Sequence, residues 1–471
     1  MGALPTELLL HIFSCLDIPP PSVLKFSQTP TKDLPSATSS PLKALSLTCR
    51  QFHTLVTPLL FRHVVLRLDD TPTWLPVDED TLNAMQPVFK TLSAHERDIY
   101  TRMRKNIAKS FQRVIEGREI GEMEEFIWIR DDDHWFAQSS AAVGVPQLPS
   151  CFEDFQAFLS KERGPGYPPL IDKVESLVIV ASKKYDHTHK TFRNAEAALH
   201  QAVTDLWARV FDVLDPVRVV VVAPPTTMLE LAELTVPSNG AVWEFEQDFH
   251  YLELRQDRAP NHGRRGKTQR VPLEHDPECA RAWHDYRALV HARPWTHIAY
   301  NEGSWLPLYI PGNRANSVTH WWQWDVPNIL YLLLDRLNRE ARVCCSLRSV
   351  AFITVFPTSE TISVMLQPLR EHPTLELLTM QLSAEPSNDV VDEKEIFGLD
   401  EPPEDFLRRW RICCGYVAVF LFHRQWNKPG EFWMMDKAGA VELRRRIAEA
   451  GEELHGAMGW KEVADGRWKR V

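Results

Sequence analysis

The residues best suited to chemistry in this 471-residue chain are scattered acids, imidazoles and one isolated thiol. Asp131, Asp132, Asp133 and His134 form one run, and His187 and His189 form another, so both supply carboxylate or imidazole donors of the kind a metal uses. No spacing brings the two runs together, and each reads as a charged loop rather than a metal site. Cys151 has no histidine placed to activate it, so a nucleophilic role finds no support. The chain lacks G-x-S-x-G, a P-loop, H-E-x-x-H and a dinucleotide-binding glycine pattern. In RGPGYPP, Gly164, Pro165 and Gly166 make a turn. No catalytic residue, metal or cofactor is expected. A different chemistry, that of contact, is suggested by Trp305, Trp321, Trp322 and Trp324, which lie close to Arg314 and Asp325. Exposed tryptophan and arginine are favoured binding anchors. These residues are the candidate target-binding group, with core packing as the competing reading.

Composition narrows the classes further. With 44% hydrophobic and 25% charged residues, the chain can bury a core. A formal net charge of −10 argues against nucleic acid as a partner. The eight cysteines contain no C-x-x-C pair, and several fall on apolar faces, which fits reduced thiols in a cell interior. The N-terminus has no basic region before its apolar run, so it does not read as a signal peptide. The apolar run Ile412–Phe422 is too short to span a bilayer. Met1-Gly2-Ala3-Leu4-Pro5-Thr6 fits the loose myristoylation pattern, but its residues have another explanation below. A cytoplasmic or nuclear protein without membrane attachment is expected.

The elements that must position any site begin at the N-terminus. Leu8, Leu9, Ile12, Phe13 and Leu16 form an apolar stripe at helical spacing, with Pro5 and Thr6 at the helix start. Phe52, Leu55, Val56, Leu59 and Leu60 form a second stripe, and Leu42, Leu45 and Cys49 a third just before it. Leu10 and Leu47 lie off these stripes. Three short helices cannot cover so many apolar side chains, so part of the surface should face a partner.

The order Leu4-Pro5, Glu7-Leu8, Ile12-Phe13 and Leu16, then LSLTCR over 45–50, Phe52 and PLLFR over 58–62, resembles an F-box. The variant is the one common in filamentous fungi. The chain departs from that pattern in the long connection over 18–41, rich in Pro, Ser and Thr, which reads as a flexible surface loop. The resemblance implies docking on the SKP adaptor of a cullin-RING (SCF) ubiquitin ligase, with the rest of the chain selecting a target protein. It places the adaptor contact on Leu4, Pro5, Leu8, Leu9, Leu10, Ile12, Phe13, Leu45, Leu47 and Cys49, some of which must form the domain's own core. Two other classes stay open: an adaptor-binding scaffold acting outside ubiquitin ligation, and an enzyme fused to an F-box.

Beyond the F-box at 1–65, a strand template with apolar residues at the first, fourth and sixth positions recurs. It appears as Phe61/Val64/Leu66, Met123/Phe126/Trp128, Val174/Leu177/Ile179, Val217/Val220/Val222, Trp295/Ile298/Tyr300, Leu347/Val350/Phe352 and Leu375/Leu378/Met380. Helices at 92–115, 198–214 and 327–341 fall between several of these. Strand and helix in alternation predict a mixed α/β fold, read as an irregular leucine-rich-repeat-like solenoid over 66–400, with a compact α/β domain as the alternative. Residues 257–274 and 384–404 read as exposed insertions. The remainder, 401–471, reads as a helical C-terminal cap ending in a hairpin about Asp465-Gly466.

Overall fold

The computed structural model describes residues 4–36, 40–68, 73–76, 142–161, 169–181, 193–232, 234, 249–257, 289–291, 294–304, 329–340, 347–355, 357, 359–372, 374–383, 404–424, 426, 430–453 and 459–470. The expected helix over 92–115 and the strand about Phe126 lie outside them. The N-terminal region is α-helical: α1 (Thr6–Cys15), a single turn α2 (Pro21–Leu24), α3 (Pro41–Ser46) and α4 (Arg50–Leu60). Ser40 caps α3 by accepting from the Lys43 N–H at 3.4 Å, ahead of Pro41 at the first helical position. The Cys49 sulfur accepts from the Phe52 N–H at 3.4 Å at the start of α4. At α1, no side chain caps the helix; Pro5 precedes it with extended backbone and Leu9 N–H donates to the Pro5 carbonyl at 3.1 Å.

The body is built on one sheet. Its strands are β1 (His63–Arg67), then, after the separate two-stranded ribbon β2 (Thr73–Pro76) and β3 (Ala142–Val145), β4 (Ser176–Val180) and β5 (Arg218–Ala223). It continues through β6 (His250–Arg255), β7 (His297–Ser304), β8 (Ser349–Val355), β9 (Leu377–Gln381), β10 (Glu431–Met434), β11 (Trp460–Ala464) and β12 (Arg467–Arg470). The order is β1-β4-β5-β6-β7-β8-β9-β10-β12-β11, so each strand but the last pair is laid beside its predecessor. Sequential placement is what the repeated template predicts. The uniform parallel direction of a solenoid is not: β6 runs antiparallel to both β5 and β7, and β12 antiparallel to β10 and β11. The sheet is therefore mixed: where the strand template suggests an irregular leucine-rich-repeat-like solenoid, parallel blocks flank a reversed strand.

One face of this sheet carries the helices. They are α5 (Phe152–Ser160), α6 (Arg193–Val213), α7 (Pro225–Leu231), α8 (Ile329–Glu340), α9 (Ser359–Glu371), α10 (Glu404–His423) and α11 (Lys437–Glu453). Alternate strand residues face them in registered rows, Val64, Leu177, Val219, Leu254, Ile298, Val350, Leu378, Phe432 and Trp468 forming one. These pack with Trp207, Leu333, Met365 and Phe420 from the helices into a single core. The described residues of 401–471, expected as a helical C-terminal cap, extend the same sheet and core: β10 pairs parallel with β9, and Cys413 and Cys414 are buried thiols on α10. The hairpin turns at Gly466 with φ +68°, where a Cβ would stand 2.4 Å from the Met434 carbonyl oxygen.

The second face explains β4 and β5, whose residues are buried throughout. Such strands need cover on both sides. The cover is the connection between α1 and α3. Leu34 is 2% exposed and packs with Val178, Val180, Val220, Val222 and Tyr251, flanked by Phe26 and Phe249. The flexible surface loop expected over 18–41 is, over 18–36, a packed strap across the sheet.

Candidate functional site

The N-terminal helices divide their apolar side chains between two surfaces. Leu9, Phe13, Leu42, Leu55 and Val56 form a small core with Leu45, Phe52, Leu59 and Leu60 half-buried around it. Phe13 meets Phe52 edge-on, with ring centroids 5.1 Å apart. Leu9 and Phe13, expected among the adaptor contacts, thus lie four residues apart on the inward side of α1 and support the surface from behind. Leu4, Leu8, Leu10, Ile12 and Leu16 are exposed, as is Leu47 at 80%. Leu8, Ile12 and Leu16 follow at helical spacing, so α1 is apolar on an outward side as well. Together with Leu47, exposed just after α3, this outward row gives the domain several large apolar side chains that its own core does not use, the kind of surface that marks an interaction site. Pro5 and Cys49 are exposed at the edges, the latter engaged as a helix cap.

Fixed charges join this unit to the body. Arg62, after α4, pairs with Asp17 beyond α1 and with Glu175 Oε2 at 2.9 Å, just before β4. The strap is held by side chains that project from the sheet. Arg218, 7% exposed, donates to Ser22 Oγ at 3.0 Å, Ser176 Oγ at 3.1 Å and Glu253 Oε2 at 2.6 Å. The Tyr251 hydroxyl lies 3.0 Å from the Ser22 carbonyl oxygen. Burial pushes the Glu253 carboxyl up, but its hydrogen bond and ion pair with Arg218, helped by the Tyr251 hydroxyl and the Arg255 charge, outweigh that and hold it below the ordinary range. Asn301 Nδ2 donates to the carbonyls of Phe26 and Gln28 at 2.6 and 2.8 Å. Arg67 Nη2 donates to Ser36 Oγ at 3.1 Å. None of these partners was singled out from sequence; the signal available was Phe26 and Leu34, apolar residues inside a Pro- and Ser-rich stretch.

One arrangement has the order of a catalytic relay. His297 Nε2 lies 2.6 Å from Asp257 Oδ1, and His297 Nδ1 lies 2.6 Å from Ser349 Oγ. Burial is the largest single influence on the Asp257 carboxyl and raises it, but the hydrogen bond and charge of His297 with the charges of Arg255 and Arg348 together outweigh it, leaving a net downward shift. His297 and Ser349 are registered neighbours on β7 and β8. The backbone N–H groups of Arg348 and Ser349 both donate to the Thr296 carbonyl, at 2.7 and 3.1 Å, so neither is free to stabilise an oxyanion. The trio fits a cross-strand polar pair better than a nucleophile.

The remaining sequence candidates, Trp305, Arg314, Trp321, Trp322, Trp324, the acidic run 131–134, His187 and His189, lie outside the described residues. Among the described residues, no group of three or more His, Cys, Asp and Glu side chains is placed to hold a metal ion, and no helix is long and apolar enough to cross a membrane. Cys151 is exposed ahead of α5.

Comparison with known proteins follows the division seen in the fold. Residues 1–67 match the F-box-like family model. No curated protein and no solved structure matches the chain. The matched segment contains α1, α3 and α4 with the outward leucine row, and also the strap and β1, and the chain carries an F-box-like domain over residues 1–67.

Proposed function

We propose that this protein is the target-recognition subunit of an SCF-type (cullin-RING) ubiquitin ligase. The F-box-like domain docks on the SKP adaptor, and the sheet-based body holds a target protein. The observation that carries the reading is the outward apolar row Leu8, Ile12 and Leu16 with Leu47, left uncovered by a domain that buries Leu9 and Phe13 in its own core. Such a subunit contributes no bond-making of its own. It raises the effective concentration of target lysines near a ubiquitin-charged conjugating enzyme brought in by the cullin. The target surface belongs to the body, with Trp305, Arg314, Trp321, Trp322 and Trp324 as its anchors. The chemistry of large aromatic area beside polar handles supports that choice.

The experiment is co-purification of the full chain from cells, probed for adaptor and cullin. Recovery of both supports a ligase subunit. Adaptor without cullin indicates the scaffold role instead, and recovery of neither removes the proposal.

A further inference from the structure

The connection between α1 and α3 departs from the F-box, crosses the second face of the sheet and returns. Its contacts follow one another along the chain: Asp17 to Arg62, Ser22 to Arg218 and Tyr251, Phe26 and Gln28 to Asn301, Ser36 to Arg67. Leu34 is sealed against four valines of β4 and β5. Pro30 comes against Gly303, whose Cβ, if present, would meet the proline ring at 3.5 Å. The strap leaves directly from the end of α1, and its last described residue before Ser40 and α3, Ser36, is tied to Arg67 of β1, so both of its described ends are anchored to the body. The longest of these ties joins residues 275 apart in sequence.

The F-box core consists of five buried side chains, a small core for a unit of 67 residues. The docking surface needs α1 to lie against α4 at one angle, because Leu8, Ile12 and Leu16 come from α1 whereas Leu47 comes from beyond α3. We propose that the strap is a conformational tie that makes adaptor docking conditional on its seating in the body. Resting on the receptor reading for the identity of the docked partner, this names how that docking is regulated. A seated strap holds α1 in place; an unseated strap frees α1 from its small core. Linkage makes the relation reciprocal: adaptor binding favours the seated strap, and anything that displaces the strap from β4–β7 weakens adaptor binding.

Asn301→Asp isolates the tie. The Oδ1 that accepts the Gly303 N–H at 2.8 Å is retained, but a carboxylate replaces the amide that donates to the Phe26 and Gln28 carbonyls. Amide hydrogen exchange and binding of purified SKP-type adaptor are measured on the full chain, wild type and variant. The expected result is faster exchange in residues 22–36 and in α1, unchanged exchange in β8–β10, and adaptor affinity lowered about ten-fold or more. In the wild type, added adaptor should slow exchange in residues 22–36. The proposal is overturned if the strap is unseated while α1 stays protected and adaptor binds within about two-fold of wild type. It is also overturned if adaptor binds the wild type and leaves strap exchange unchanged, a measurement that decides the matter should the variant fail to fold. If the wild type binds no adaptor, the receptor reading fails separately, and α1 exchange in Asn301→Asp still reports on the tie.

Discussion

Leu47→Asp should separate folding from docking more cleanly than any change on the inward side of α1. Leu47 is 80% exposed and follows α3, so placing a carboxylate there costs the free protein no more than about 0.5 kcal/mol. In a complex the same carboxylate would be driven out of water against apolar surface with no partner, at a cost of several kcal/mol. At about 1.4 kcal/mol per ten-fold, a cost near 3 kcal/mol lowers adaptor affinity roughly a hundred-fold. Phe13→Ala is the contrasting perturbation. Phe13 is 2% exposed, inside a five-residue core and edge-on to Phe52, and its truncation should cost about 3–5 kcal/mol of domain stability. The assays are calorimetric titration with purified adaptor and urea unfolding of each variant. A folded Leu47→Asp protein that binds adaptor within about two-fold of wild type would refute the docking surface. Loss of under about 1 kcal/mol in Phe13→Ala would refute the division between inward and outward rows.

Two further outcomes are expected. Leu34→Ala should destabilise the protein by about 2–4 kcal/mol in urea unfolding, because the side chain is sealed between strap and sheet; a change under about 0.5 kcal/mol would return the segment to a surface loop. Stability should also fall as pH drops below 6.5. Burial holds His250 at a pKa of about 3, and burial with the neighbouring Arg424 charge holds His372 at about 4. Between these values and the unfolded pKa near 6.5, the unfolded chain binds protons that the folded one refuses, so each histidine costs about 1.4 kcal/mol per pH unit. The pair should remove roughly 4 kcal/mol between pH 7 and pH 5, a window above the range in which the depressed Glu253 carboxyl titrates. Equal unfolding midpoints at the two pH values would count against neutral buried histidines.

Side-chain order over short stretches carries local information. Helical spacing in LPTELLLHIFSC, the LSLTCR and PLLFR runs, and the recurring strand template are set by side-chain order over a few residues. They correctly anticipated an F-box-like segment, strands β1, β4, β5, β7, β8 and β9, helices near 198–214 and 327–341, and the hairpin at Asp465-Gly466. Tertiary structure decided what local order leaves open. Strand direction is one such matter: β6 is not among the strands the template names, its apolar residues read alike whichever way it runs, and only its pairing with β5 and β7 makes it antiparallel. The division of α1 is another, since Leu8 and Leu9 are equally apolar and only packing against α4 turns one inward. The strap is the clearest case. Its Pro, Ser and Thr content is that of a surface loop, because loop composition records the absence of a regular ladder and not the presence of solvent. The carbonyl groups of Ser22, Phe26 and Gln28 are met instead by Tyr251 and Asn301, and Leu34 meets valines that β4 and β5 would otherwise leave uncovered. Those partners lie well over a hundred residues further along the chain, where no pattern within the segment itself could indicate them.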